Sequence, residues 1–164
     1  MNTVQSPTPY RGRIDACTNA RFGAWYSVPL DATTFASVRR GIQAFLNDGN
    51  DLIEYTFGTG VVSRSGATFN TGNGADTVLV TGVRSRSKTV IETGAGNDTV
   101  RITDAALDGL VARLDDGDDA LHLVNVRIRD ISKLVLRGGP GHDTLNGEPL
   151  RRRAAVDSDF MRLF

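Results

Sequence analysis

Aspartates recur in this sequence inside short segments that also contain glycine. Residues 72–78, Gly-Asn-Gly-Ala-Asp-Thr-Val, show the pattern: a glycine, one spacer, an aspartate, and an apolar residue two positions further on. The pattern returns at residues 47–53, 94–100, 115–121 and 138–145. The carboxylates are the reactive groups of these segments, and the chemistry to consider is what compensates their charge. In one interpretation, each aspartate accepts hydrogen bonds from backbone amides of its own bend.

The five segments follow one another at a nearly constant interval. Their central glycines, residues 49, 74, 96, 117 and 141, lie 25, 22, 21 and 24 residues apart. A repeat of roughly 20–50 residues indicates a solenoid or an array. Glycine reaches positive φ without steric cost, and Asn or Asp tolerates it, so each segment predicts a tight bend.

Short apolar runs flank these bends. After the second bend, Val78 and Val80 alternate with Leu79, and a period of two is that of a strand with one buried face. Runs such as residues 89–91 and 110–112 enter the following bends and are rich in aliphatic residues. One strand, a bend, a second strand and a variable connection make one coil. Connections such as residues 81–88 carry cations and should project from the flank opposite the bends.

Stacked coils would bury one continuous apolar column. We therefore predict an all-β fold: a right-handed parallel β-helix (β-solenoid) of about five coils. Because a coil has 21 to 25 residues, the cross-section should be larger than that of a two-sided roll, and a triangle is one option.

The predicted solenoid and its cap occupy residues 31–147. Within residues 31–46, Phe35, Val38 and Ile42 fall at helical spacing after a candidate N-cap, which predicts a short amphipathic helix closing the apolar column. The alternative is an irregular first coil over residues 33–46.

Two arms flank this unit, an irregular one over residues 1–30 and a tail over residues 148–164. They carry Trp25, Phe160 and Phe164. Large aromatic side chains near chain ends pack on their own chain or on a neighbour, so we expect self-association or protein partners through the arms. The 19 basic and 19 acidic residues cancel, which gives no reason to expect a nucleic-acid or membrane partner. The lone cysteine, Cys17, excludes an intrachain disulfide.

At the bends the chain resembles the repeats-in-toxin, or hemolysin-type calcium-binding, family. The nonapeptide of that family is Gly-Gly-x-Gly-x-Asp-x-apolar-x. Residues 138–145 match it completely, whereas the bends at Gly74 and Gly96 have Thr71 and Thr93 in the first position. The chain departs from the family in having one bend per coil, no net charge, and two bends without the leading glycines.

The resemblance implies calcium held between successive bends by aspartate carboxylates and glycine-loop carbonyls. Carried over to this sequence, the candidate ligands are Asp51, Asp76, Asp98, Asp116, Asp119 and Asp143. Residues 115–119 contain four carboxylates, which repel one another unless a cation neutralises them.

Three classes of function remain. A short rigid solenoid with arms and no cofactor motif favours a non-catalytic structural or assembly protein, such as a virion decoration, cement or tail component. The first alternative is a secreted calcium-binding protein of the repeats-in-toxin type, exported by a C-terminal signal in residues 159–164. The second is a small polysaccharide-active enzyme using residues 115–119 with Arg113 and His122. We disfavour it because those carboxylates belong to the bend pattern itself.

The location follows from the same expectations. Residues 1–6 lack the basic stretch and apolar run of a cleavable signal peptide. We expect the protein in a virion, or outside the cell or on its surface.

Overall fold

The computed structural model describes residues 14–16, 42–46, 48–56 and 62–149, and in them the chain is a parallel β-solenoid. The strands, in chain order, are β1 (Ile14–Ala16), β2 (Ile42–Phe45), β3 (Leu52–Thr56), β4 (Ala67–Asn70), β5 (Thr77–Thr81), β6 (Lys88–Glu92), β7 (Thr99–Thr103), β8 (Ala106–Leu107), β9 (Gly109–Arg113), β10 (Ala120–Val124), β11 (Arg127–Ile128), β12 (Leu134–Arg137), β13 (Thr144–Leu145) and β14 (Glu148–Pro149). A single 3₁₀ turn, Ile131–Lys133, precedes β12. The predicted all-β solenoid is therefore confirmed.

Each coil has three sides. The first sheet has the order β1-β3-β5-β7-β10-β13-β14, and the second sheet has the order β12-β9-β6-β4-β2. The third face is narrow, with β8 paired to β11 and isolated bridges linking Ser63 to Ser85 and Arg84 to Ala106. Along the chain, a coil runs from the second sheet through a glycine-aspartate bend to the first sheet, then through a second corner to the third face.

Successive coils lie in exact register on both sheets. In the first sheet, Val78 of β5 lies beside Ile53 of β3 on one side and Val100 of β7 on the other. In the second sheet, Ile91 of β6 lies between Phe69 and Ala112. All six side chains are fully buried, so the predicted apolar column runs through the coils without interruption.

The second corner is a repeat that the sequence did not reveal to us. Asp104, Asn125 and Asn146 all have φ of 53°, and Gly82 at the same place in its coil has φ of 68°. Asn and Asp are the non-glycine residues that adopt this left-handed conformation most readily. A bond of 2.6 Å from Asn125 Nδ2 to Asp104 Oδ1 then ties neighbouring corners together.

The predicted capping helix is wrong for residues 42–46. Ile42–Phe45 form β2, which pairs with β4 in parallel from Ile42–Ala67 to Phe45–Asn70. Ala44 is buried whereas Phe45 is 48% exposed, the alternation of a strand rather than the face of a helix. The pairing supplies a backbone partner for every residue of β2, and this outweighs the helical spacing of the apolar side chains. Residues 31–41 lie outside the described part of the chain.

Both ends of the first sheet carry an antiparallel strand. β1 lies within the arm that we predicted to be irregular, and it pairs antiparallel with β3. β14 lies at the start of the predicted tail and pairs antiparallel with β13. The reversed strands thus stand at the two ends of an otherwise parallel sheet. Trp25, Phe160 and Phe164, our candidate anchors, lie outside the described residues.

Candidate functional site

The glycine-aspartate bends stack directly on one another. Gly74 has φ of 141°, and a Cβ there would lie 1.9 Å from the carbonyl oxygen of Gly49. A Cβ on Gly96 would meet the carbonyl oxygen of Gly74 at the same distance. Glycine is required at these positions for two reasons. The backbone conformation is strained for other residues, and the carbonyl of the neighbouring coil leaves no room for a side chain.

The aspartates of the five bends form a hydrogen-bonded column, which we call the aspartate column. In each step, the backbone N–H of one aspartate donates to Oδ1 of the aspartate in the next coil. The four steps are Asp51 to Asp76 at 2.7 Å, Asp76 to Asp98 at 2.8 Å, Asp98 to Asp119 at 2.8 Å, and Asp119 to Asp143 at 3.2 Å. The column runs along the solenoid axis from the first bend to the last.

This geometry corrects one of our two interpretations of the aspartates. We considered that each side chain bonds backbone amides of its own bend. The amide in fact belongs to the aspartate one coil earlier, so each carboxylate fastens two coils together. Loss of one such acceptor would leave a buried N–H without a partner, which costs about 1–3 kcal/mol.

The second carboxylate oxygen of the column is buried and has no hydrogen-bond partner in four of the five coils. These atoms are Oδ2 of Asp51, Asp76, Asp98 and Asp119. The residues themselves are between 1% and 5% exposed. Buried carboxylates rarely remain without partners, because desolvation penalises the charged form heavily. Either a proton or a cation must therefore compensate the charge.

Burial shifts the ionisation of the column accordingly. Burial raises the pKa of Asp51 to about 7, and the neighbouring carboxylate of Asp76 adds to the rise. Burial likewise raises the pKa of Asp119 to about 7. The amide of Asp98 opposes that rise, and the carboxylates of Asp98 and Asp143 add to it. The pKa values of Asp76 and Asp98 are raised too, again mainly by burial.

Two buried threonines accompany the column. The hydroxyl of Thr71 donates to the carbonyl of Thr93 at 3.0 Å, and the hydroxyl of Thr93 donates to the carbonyl of Leu114 at 2.9 Å. The amides of Asp51 and Asp76, which donate to Asp76 and Asp98, partly offset the raised pKa of these two carboxyl groups. The residues that depart from the family pattern thus add bonds between coils of this solenoid.

A second row of side chains joins the bends on their outer side. Asn50 Oδ1 accepts the N–H of Ala75 at 2.8 Å, Asn97 Oδ1 accepts that of Asp118 at 3.0 Å, and Asp118 Oδ1 accepts that of His142 at 2.9 Å. Here the acceptor lies one coil before the donor, which is opposite to the direction of the aspartate column. The spacer position after the glycine is therefore a structural position as well.

Five of the six candidate metal ligands come together in the column, and the sixth does not. Asp116 is exposed on the outer side of its bend, whereas Asp51, Asp76, Asp98, Asp119 and Asp143 are buried. In the part of the chain that the structure describes, no group of three or more His, Cys, Asp or Glu side chains is arranged to hold a metal ion. A calcium ion here would need one free carboxylate oxygen from each level and backbone carbonyls for the rest.

The two residues that we considered for catalysis do not meet. Arg113 lies at the end of β9 in the second sheet and forms an ion pair with Glu92. His122 lies in β10 of the first sheet, half-buried beside Arg101.

The signal that could have revealed the corner repeat is weak but present. Gly82, Asp104, Asn125 and Asn146 recur at intervals of 22, 21 and 21 residues, and the first two equal the intervals between the neighbouring bends. They share a tolerance for positive φ rather than a residue type.

Comparison with known proteins gives no relative for this solenoid. No protein-family model matches the chain, and neither a curated protein nor a solved structure matches it. Across the described residues, no helix has the length and hydropathy that a membrane span requires.

Proposed function

We propose that the protein is a non-catalytic structural element, a short rigid rod that takes part in an assembly. The observation that carries this proposal is the aspartate column, which fastens every bend to the next over all five levels. Three further rows of bonds between coils support it: the outer row at the bends, the threonine hydroxyls, and the second corner. Because these side-chain hydrogen bonds join each coil to the next, we infer that the solenoid is rigid.

A virion decoration, cement or tail component is the setting that we propose for such a rod. Subunits of this kind need a stiff body and segments that reach a neighbour. The chain has 13 residues before β1 and 15 after β14, and these include Phe160 and Phe164. We propose that these end segments contact neighbouring subunits.

A secreted calcium-binding protein of the repeats-in-toxin type is the second candidate. The four buried Oδ2 atoms without a partner favour it, because a cation would compensate their charge. The column supplies only one such oxygen per level, so the backbone carbonyls of the bends would have to complete the coordination. The carbonyls of Asn73 and Ala95 already accept amides from the previous coil, which leaves each of them one lone pair.

Solution mass and circular dichroism, measured in chelator, separate the two candidates. A structural rod is folded without calcium and forms oligomers. A variant lacking residues 1–13 and 150–164 should be folded but should form oligomers of fewer chains. The truncation keeps β1 and β14, so loss of the sheet ends cannot explain its behaviour. A full chain that is unfolded in chelator and folds on adding calcium would instead establish the second candidate. A folded full chain that stays monomeric at every concentration would contradict an assembly role.

A further inference from the structure

The third face of the solenoid carries a set of exposed arginines, which we call the basic face. It consists of Arg64, Arg84, Arg86, Arg127 and Arg129. None of them forms an ion pair with any other residue that the structure describes. Asp108 and Asp130, which follow β8 and β11 on this face, are both paired with Lys133, at 2.8 and 3.0 Å. Within the described part of the chain, the five arginines therefore have no ionic partner.

The side of the cross-section opposite the basic face is acidic. The bends join the first sheet to the second, so the third face is the side that does not touch them. The bend segments contain no Lys or Arg. They expose Asp48, Asp115, Asp116 and Asp118, a set that we call the acidic corner. Its one ionic contact in the described chain is that of Asp118 with the exposed His142, at 3.4 Å.

The two charged regions meet at one height along the rod, whereas Arg84 and Arg86 follow a bend, residues 72–76, whose one carboxylate is buried. Asp115, Asp116 and Asp118 belong to the same coil as Arg127 and Arg129, since β10 leads from one set directly to the other. Coils are about 4.8 Å apart, so a copy shifted sideways without rotation would face these arginines with these aspartates at one level. In the coil before it, the bend positions Ala95 and Asn97 are uncharged, and so is Ala106 on the third face.

We propose that the protein packs side by side with second copies of itself, with the basic face of one copy against the acidic corner of the next. This contact rests on the proposed function and adds a contact between the solenoid bodies to that of the end segments. It uses two different surfaces of the subunit, so it does not close and can continue into a row of parallel rods.

A second copy fits the basic face better than an anionic polymer does. The chain supplies both charges in equal number, 19 of each, and its third face and its bends carry opposite charges. The third face has no aromatic side chain among residues 83–87, 105–108 and 126–130, whereas single-stranded nucleic acid is normally bound with the help of stacking aromatics. Arginine forks suit carboxylates, which the acidic corner provides.

Three variants of the full chain test the contact. The basic-face variant is Arg127→Glu with Arg129→Glu, and the acidic-corner variant is Asp115→Asn with Asp116→Asn, which removes charge without reversing it. Asn is chosen at residue 115 because φ is 64° there. The matched control is Arg101→Glu, which reverses an exposed arginine on the first sheet. Circular dichroism checks that all three are folded.

Sedimentation velocity then measures the mass at low and high ionic strength. At about 0.01 M salt, where charges act over about 30 Å, the full chain and the control should form a series of oligomers, which dissociates at about 1 M salt. Each double variant alone should lose this series. An equimolar mixture of the two should give one complex of two chains that grows no further, because only one intact pair of surfaces remains.

Each other outcome overturns the inference. Oligomers that persist unchanged in both double variants would show that assembly uses other surfaces, and the proposed function would stand without this contact. A monomeric full chain at both salt concentrations would overturn the inference together with the assembly role. If that monomer bound a heparin column and the basic-face variant did not, the basic face would belong to an anionic polymer.

Discussion

The backbone N–H of Asp76 donates to Oδ1 of Asp98, 2.8 Å away in the next coil. Both residues are 1% exposed, and neither carboxylate has a partner for its other oxygen among the described residues. One aspartate per coil therefore satisfies a buried backbone amide and at the same time places a carboxyl group in a dry environment. The first role concerns stability, and the second concerns protons and cations.

Replacing Asp98 separates these two roles. Asp98→Ala removes the acceptor of the Asp76 amide and should lower the free energy of unfolding by about 1–3 kcal/mol. Asp98→Asn keeps an acceptor oxygen and removes the buried charge, so at pH 8 in chelator it should cost less than the alanine. Urea unfolding measures both changes, and Asp116→Ala, at an exposed position, is the control. Equal losses for alanine and asparagine would contradict the hydrogen-bonding role.

The raised pKa values predict that the metal-free protein is more stable in mild acid. Asp51 and Asp119 have a pKa of about 7 when folded, against an unfolded value of 3.8. Between these values the folded state holds the proton and the unfolded state has lost it, so the free energy of unfolding falls as pH rises. Each group contributes a slope of up to about 1.4 kcal/mol per pH unit within that window, and the slope vanishes above pH 7.

Urea unfolding in chelator from pH 4 to pH 8 measures this dependence. Stability should be highest near the lower end of the range and should decline toward pH 7. The double variant Asp51→Asn with Asp119→Asn should show a flatter profile. A wild-type protein that gains stability between pH 4 and pH 7 would show that the column is ionised throughout.

Calcium binding to the column predicts the opposite dependence on pH. A cation competes with protons for the carboxylates, so millimolar calcium should raise the urea midpoint at pH 8 and have little effect at pH 5. Magnesium, which demands a stricter octahedral geometry, should stabilise less. Asp76→Asn with Asp98→Asn should remove the calcium effect. If calcium does not change the urea midpoint at pH 8, the column does not bind calcium, and hydrogen bonds alone hold it together.

Two glycines provide a matched test of the stacking of the bends. Gly147→Ala places a Cβ where nothing lies within 4 Å, at φ of 86°, so it should cost only the left-handed strain of about 1–2 kcal/mol. Gly96→Ala adds to a positive φ a collision with the carbonyl of Gly74. It should cost clearly more and lower the melting temperature further. Similar losses at the two positions would contradict the close contact of successive bends.

Much of the fold could be predicted because the glycine-aspartate segments and the alternating apolar residues repeat along the sequence. Val78 and Val80 were predicted to face inward from their alternation with Leu79, and both are fully buried. The vertical alignment of Asp76, Asp98 and Asp119 was expected from equal spacing, and the hydrogen bonds between them confirm it. In both cases a repeated residue type marks a repeated position.

The predictions that were wrong or missing concern positions at which no residue type repeats. The spacing of Ile42 and Phe45 suits a helix, and only the pairing with β4 shows that these residues form a strand. The second corner is occupied by Gly82, Asp104, Asn125 and Asn146, so no one residue type marks all four. The direction of the aspartate bonds depends on side-chain conformation, which the spacing of residues does not specify.

The equivalence of successive bends makes the length of the rod adjustable in whole turns. Excision of residues 72–93 would join Thr71 to Gly94 and recreate the junction that Thr93 now makes with the same glycine. Removal of one repeat would bring the bend at Gly49 directly against the bend at Gly96, with Asp51 facing Asp98. The length of the solenoid is thus set by the number of its glycine-aspartate bends.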